Sequence, residues 1–296
     1  MKSFSDSVCG FLEGVGFHCE DESRCLSSCP AHIRLISAHS TRLEKPRKIL
    51  LSGISARSRE DAVRHSMEVS GILREIISRD GERPLIICED RWNAQAETTR
   101  ARLLAHLETF YGIYARNCEI RRIEKAEAAG FLNMNHSYGD AACRYRYGMF
   151  LKRHTGHRAE EADSCLCNAG DLLAVATFSN ARKWLKGDKS IRSYEWTRYA
   201  SLPYLRISGG MGRMLNAFIK EVKPDDIMTY ADLEWSEGKV YEQLGFNLES
   251  YKDPVCFTVD SDSWLRKAGP VSGSGTETLH YCNFGSGKYR LKLTEY

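Results

Sequence analysis

No stretch of this sequence approaches the roughly 20 consecutive apolar residues that a membrane-spanning helix requires. No membrane-spanning helix is therefore expected in it. Charge of one sign is not in excess either: 42 Lys and Arg stand against 39 Asp and Glu, a net of +3. An anionic partner can only be argued from local clustering. Internal repeats are absent, which excludes solenoids and propellers. The opening stretch, MKSFSDSVCGFLEGVGFHCE, has an early acid and glycines where a secretion signal would place an apolar core and a cleavage site. With eleven cysteines and no such signal, the expectation is a cytoplasmic chain with free thiols. Paired C-x₂-C spacing is missing too. Cys9, Cys19, Cys25 and Cys29, with His18 and His32 nearby, offer zinc ligands but no regular frame for them, so thiols are expected and no metal. Cys165 and Cys167 are too close in sequence for an ordinary disulfide with each other.

What is present suits about two soluble domains in 296 residues. Helical spacing predicts helices over 3–16, 58–80 and 96–110, with Ser58 as cap of the second. HIRLIS, KILLSGIS and PLIICED (84–90) read as strands, the last ending in Glu89 and Asp90. A boundary is placed near residue 115. Beyond it CEIRRIE is a strand, KAEAAGFLNMNH a helix, and CRYRYGMFLKR a strand before a polar insertion (154–170). LLAVATFSN pairs with YEWTRYASL across the basic hairpin ARKWLKGDKSIR. RISGGMGRMLNAFIKEV (206–222) then places three glycines at a helix entrance. Glycine there serves either a turn or a backbone that meets phosphate. The strand DIMTYADLE, the short helix GKVYEQLG and the strand FNLESYKDPVCFTVD follow, then a Gly-rich tail (269–275) and a last edge segment. The fold class is α/β: a C-terminal mixed sheet with flanking helices and a smaller N-terminal α/β domain. The expected divisions are 1–115, 116–262, and 263–296 as linker and edge segment.

The order of the second half, with YEQLGF (241–246) closing its penultimate helix, resembles the GCN5-related N-acetyltransferase (GNAT) superfamily. FLNMNHSYG (131–139), VATF (175–178), EWTR (195–198), SGGMG (208–212) and YADLEWSEGKVYEQLGF (230–246) resemble more closely its phage and mobile-element, Mom-like members, which act in DNA modification. The resemblance covers about residues 118–260, and the YAD…LGF string is its most specific part. In such proteins a module similar to the very-short-patch repair endonucleases often comes first. The strand before EDRW (89–92) and the helix after it look like the end of one, in degenerate form.

The resemblance implies a coenzyme A-type donor, acetyl-CoA or another acyl-CoA, with its pyrophosphate on the turn Gly209, Gly210, Met211, Gly212 and Arg213. The family pattern Arg/Gln-x-x-Gly-x-Gly/Ala matches at Gly210 and Gly212. Its first place falls on Ile207, with Arg206 one residue early. Tyr241 occupies the place of the tyrosine that protonates the leaving thiolate, or is a packed aromatic. Asp232 is a base or substrate orienter at a strand end, or a helix cap. His136 is a base, or a helix-end cation. Strand alternation sets Glu195 and Arg198 on opposite faces unless a bulge intervenes.

In the hairpin, Lys183, Trp184, Lys186 and Lys189, with Arg182 and Arg192, interleave cations with one indole, a pattern that tracks phosphates and stacks on a base, or is a solvated surface. Arg116, Arg121, Arg122, Arg144, Arg146 and Lys152 add positive charge to the same half. The expectation is an N-acyltransferase-like enzyme acting on nucleic acid, at a nucleobase amine. Its rivals are a non-catalytic nucleic-acid-binding protein and a metal-dependent DNA endonuclease running on Glu89 and Asp90.

Overall fold

The computed structural model describes residues 3–153, 167–268 and 278–295. Most of the polar insertion, Cys165 and the Gly-rich 269–275 lie outside the described residues. The chain divides into two compact units, 1–108 with 253–285 and 109–252 with 286–296.

The first unit opens with helix α1 (Phe4–Gly14), held by a capping box between Ser3 and Asp6. Strands β1 (His18–Asp21), β2 (Ile33–His39) and β3 (Arg47–Ser52) follow, then helix α2 (Arg59–Asp80), β4 (Leu85–Cys88), α3 (Glu89–Ala94) and α4 (Ala96–His106). The four strands form one sheet in chain order, antiparallel except for the β3–β4 pair that α2 connects. Ser58 caps α2 by accepting from Asp61 N, and Gly81 ends it in the left-handed conformation. Between these stops Ala62, His65, Ser66, Val69, Ile72, Leu73 and Ile76 recur at helical spacing and are buried. Glu89 and Asp90 do not extend β4; they form the first turn of α3, where acids suit the helix dipole.

The second unit begins with β5 (Tyr111–Tyr114), β6 (Cys118–Arg122), helix α5 (Lys125–Asn135), β7 (Tyr145–Leu151) and β8 (Leu172–Phe178). The hairpin β9 (Arg182–Lys186) and β10 (Lys189–Ser201) comes next, then β11 (Leu205–Ser208), helix α6 (Gly210–Val222), β12 (Asp226–Asp232), α7 (Lys239–Gln243) and β13 (Asn247–Lys252). Its main sheet is mixed: β10 and β12 run parallel, while β10 pairs antiparallel with β8 as expected from the sequence. A helix covers each face. Met214, Leu215 and Phe218 of α6 pack against Ala174, Ala176 and Phe178, while Ala128, Phe131 and Leu132 of α5 meet Val175 on the opposite side of β8. Phe218 is fully buried and contributes roughly 2–3 kcal/mol of apolar burial.

Two expectations for the C-terminal part are corrected. FNLESYKDPVCFTVD is not one strand. It breaks around Asp253 and Pro254, and Pro254 has no N–H for a ladder. Strands β14 (Cys256–Asp260), β15 (Arg266–Ala268) and β16 (Thr278–Cys282) then join the first unit, where Val259 and Tyr281 complete the core against the α2 stripe. The final strand β17 (Ser286–Lys292) is not an edge: it lies between β12 and β13, antiparallel to both.

Free thiols throughout are also corrected. Cys256 and Cys282 are register partners on β14 and β16, 4.0 Å apart at Cα, and form a disulfide. Among the described residues no helix is long and apolar enough to cross a membrane.

Candidate functional site

The parallel strands β10 and β12 pair over only three positions, Ser193, Tyr194 and Glu195 against Asp226, Ile227 and Met228. One further bridge follows, from Thr229 Oγ1 to the carbonyl of Trp196 at 3.0 Å, and then the strands part. A register shift in β10 between Trp196 and Arg198 marks a bulge, which bends the strand at this same place.

Tyr241, on α7, sits on that last bridge. Its hydroxyl faces the Thr229 side chain, and its ring packs among Trp196, Phe246 and Tyr289 with centroids 5.6–6.1 Å away. Burial pushes the phenol's pKa up and the Thr229 contact opposes the shift, so the group stays protonated at neutral pH. Tyr241 is thus a packed aromatic whose hydroxyl keeps its proton.

The glycine turn is anchored from below. β11 pairs parallel with β5, and Ile207 stands under the first turn of α6. A Cβ on Gly210 would meet Ile207 at 3.0 Å and the Tyr199 hydroxyl at 3.1 Å, so glycine permits this close approach. Gly209 caps the helix with φ +75. Arg206, on the other face of the strand, stacks on Phe110 at 5.0 Å. Ile207, where the family pattern has arginine or glutamine, thus has a packing role here.

The first intrahelical bond of α6 is Arg213 N to Gly209 O, at 3.1 Å. The N–H groups of Gly210, Met211 and Gly212 precede it, and no acid stands in this turn. The turn therefore presents positive potential to an anion. Arg213 does not add its charge there: its guanidinium donates to the carbonyls of Ala115 and Cys118 and ties the turn to β6. Leu244, one turn after Tyr241, lies 3.2 Å from where a Gly212 Cβ would be, which joins the α6 entrance to α7.

The bulge also decides the face of Arg198. Its guanidinium donates to Gly139 O at 3.1 Å and feels both Glu195 and Asp140, while burial lowers its pKa. EWTR and the segment FLNMNHSYG, the end of α5 with the loop after it, are therefore brought together, as alternation without a bulge would not allow. In that loop His136 Nδ1 accepts from Tyr138 N at 3.1 Å. Asp232 closes the turn after β12, its Oδ1 accepting from Glu234 N at 3.0 Å. Strand β9 is exposed along its length. Arg182, Lys183 and Lys186 lie on it with Trp184, while Lys189 donates to the carbonyl of Glu295.

Three contributors escaped the sequence reading. Tyr199 follows Arg198 directly on β10, and burial raises its pKa. Thr229 looked like an ordinary strand residue. Tyr289 arrives from β17, with no local motif to announce it. In the first unit, Asp90 is buried and ion-paired with Arg266, and Glu89 Oε2 accepts from Ile54 N at 2.8 Å. Of the N-terminal cysteines, Cys9 and Cys19 interact through their side chains, Cys25 is exposed and Cys29 donates to Ile33 O at 3.2 Å.

No protein-family model and no curated protein matches the sequence. Among solved structures, an acetyltransferase from Bacillus subtilis in complex with CoA is similar at 13% identity, covering 60% of this chain and 99% of its own, with a TM-score of 0.34. The ribosomal-protein-S18-alanine N-acetyltransferase of Escherichia coli is similar at 12% identity, 60% and 96% coverage and a TM-score of 0.33. A Salmonella typhimurium putative acetyltransferase with acetyl-CoA is similar at 13% identity, 61% and 96% coverage and a TM-score of 0.35.

Proposed function

We propose that the second unit is an acyl-group transferase that uses a coenzyme A-type donor and acts on an amine of nucleic acid, of the Mom-like GNAT type. The observation that carries this reading is the parting of β10 from β12 at the Thr229–Trp196 bridge, with Tyr241 on the bridge and the α6 entrance beside it. The N–H groups of Gly210, Met211 and Gly212 would hold the donor's pyrophosphate. When bound, an acyl-CoA supplies an activated thioester. Tyr241 would give a proton to the leaving thiolate. Glu195, His136 and Arg198 stand on the acceptor side, where His136 holds or takes a proton and Arg198 orients an anionic group. Asp232, at the end of β12, supports the turn leading to α7 and is the candidate base or substrate orienter.

Calorimetry of the full chain with acetyl-CoA is the direct test. Saturable 1:1 binding supports the reading, and absence of heat and of thermal shift ends it. Mass spectrometry of DNA and RNA from cells making the active protein identifies the acceptor. An unchanged nucleoside profile together with acylation of a protein amine would move the acceptor class.

The exposed β9 strand supports the nucleic-acid part. Lys183→Glu with Lys186→Glu is expected to cut the slope of log K against log salt by about 2 and to weaken DNA or RNA binding tenfold or more at 0.1 M salt. Donor affinity should stay unchanged, since neither lysine lies at the α6 entrance. Unaltered salt dependence would remove the hairpin from the interface.

A further inference from the structure

Outside the transferase site, the first unit places two imidazoles and a carboxylate together: His32 just before β2, and His65 and Glu68 one turn apart on α2. One ligand atom from each lies within 4.8 Å of the others, the only such grouping among the described residues. We infer that His32, His65 and Glu68 form a binding site for a divalent transition-metal ion, with zinc the best-suited occupant.

The hydrogen bonds leave these donors without another use. His65 is only 7% exposed, and its Nε2 is hydrogen-bonded to Ser52 Oγ at 2.9 Å. Its Nδ1 is buried with no hydrogen-bond partner, and so is Nε2 of His32, whose nearest acid is Glu68. Leaving buried polar atoms unpaired costs roughly 1–3 kcal/mol each. A protonated His32 paired with Glu68 would satisfy one ring and leave His65 Nδ1 unanswered. One metal ion answers both. With Nε2 donating to Ser52, the lone pair of His65 is fixed on Nδ1, the outer support that ligating histidines require.

The spacing also suits a small ion. His32 Nε2 and Glu68 Oε2 are 3.7 Å apart, close to the roughly 3.4 Å edge of a tetrahedron with bonds of about 2.1 Å. The two imidazole centroids are 4.6 Å apart and tilted by 52°. Closure on an ion draws together ligand atoms that lie within 4.8 Å of one another, and the site is open enough to load: the side chains of His32 and Glu68 are 29% and 38% exposed.

Two nitrogens and one oxygen favour zinc or a neighbouring transition metal over magnesium or calcium, which prefer all-oxygen sets. Three protein ligands leave a fourth position for water. The backbone behind the site is fixed as well. Gly53 N donates to His32 O at 2.8 Å, and the next residue, Ile54, donates to Glu89. Glu89 is thus a positioning residue for the loop that carries His32.

Cobalt(II) is the probe, because its spectrum separates this site from the cysteines. Chelator-stripped full-length protein is titrated with Co²⁺ and followed in the visible range. One equivalent should give d–d bands without thiolate-to-cobalt charge transfer, and one equivalent of Zn²⁺ should displace them. His32→Gln and Glu68→Gln, both at partly exposed positions, should each weaken binding at least tenfold with an unchanged far-ultraviolet circular dichroism spectrum. The inference is overturned if no saturable band appears, if both variants bind as the parent does, or if thiolate charge transfer dominates and persists in them.

Discussion

Arg266→Leu is expected to destabilise the first unit by about 3–5 kcal/mol, read as a lower denaturation midpoint in urea. Asp90 is 1% exposed, and Arg266 grips it with Nε on one carboxylate oxygen and Nη2 on the other, the second bond at 2.9 Å. The guanidinium also lies over the ring of Tyr281 at 4.2 Å. Removing it strands a buried carboxylate, which costs far more than the pair contributes. The double variant Asp90→Leu/Arg266→Leu should therefore recover most of the loss, because an apolar replacement of a buried pair is often neutral. A shift below 1 kcal/mol in the single variant would mean that the pair does not form. That outcome would return Asp90 to the list of free acids on which the endonuclease alternative depends.

This pair also shows why the division of the chain was hard to read in advance. Arg266 and Asp90 are far apart in sequence, and nothing near either one names the other. Periodicity located α2 and its buried stripe, and Ser58 and Gly81 marked its ends. The stripe did not say what would cover it. The covering strands β14 and β16 come from beyond residue 253, after the whole second unit. Likewise β17 alternates like any strand, and only its ladder partners place it inside the sheet. Local patterns set element type, while long-range pairing sets position, and the second is invisible to a window of eighteen residues.

For the site the same division holds. The turn SGGMG was legible because a left-handed cap and a close approach demand glycine locally. The meeting of EWTR with FLNMNHSYG was not, since it depends on one bulge that inverts the facing of Arg198. The resemblance puts the donor's pyrophosphate on a turn that includes Arg213, yet carbonyls of the Ala115–Cys118 segment hold its guanidinium. That contact spans almost a hundred residues. His65 lay unnoticed because a histidine on a helical stripe is ordinarily core. Only its unpartnered Nδ1 beside His32 and Glu68 singles it out.

Tyr241→Phe is expected to lower the rate constant of acyl transfer by about 10²- to 10⁴-fold, the usual contribution of a positioned acid. Donor affinity should change little, because the ring keeps its contacts with Trp196, Phe246 and Tyr289. The pH profile adds a sign. The phenol is pushed above its ordinary value of 10, so activity that needs its proton should persist through neutral pH and fall only above that value. In Tyr241→Phe that alkaline limb should vanish. A variant that merely loosened the fold would behave differently, and Gly238→Ala supplies it. Gly238 has φ +81, and a Cβ there would run into the ring of Tyr289, which is itself held by a bond to Glu237 O at 3.0 Å. Left-handed strain and overpacking together should cost roughly 2–5 kcal/mol and displace α7. Stability and rate would then fall together in Gly238→Ala, whereas Tyr241→Phe loses rate alone. Equal rates in the parent and Tyr241→Phe would leave Tyr241 as a packed aromatic and require another proton donor at the strand opening.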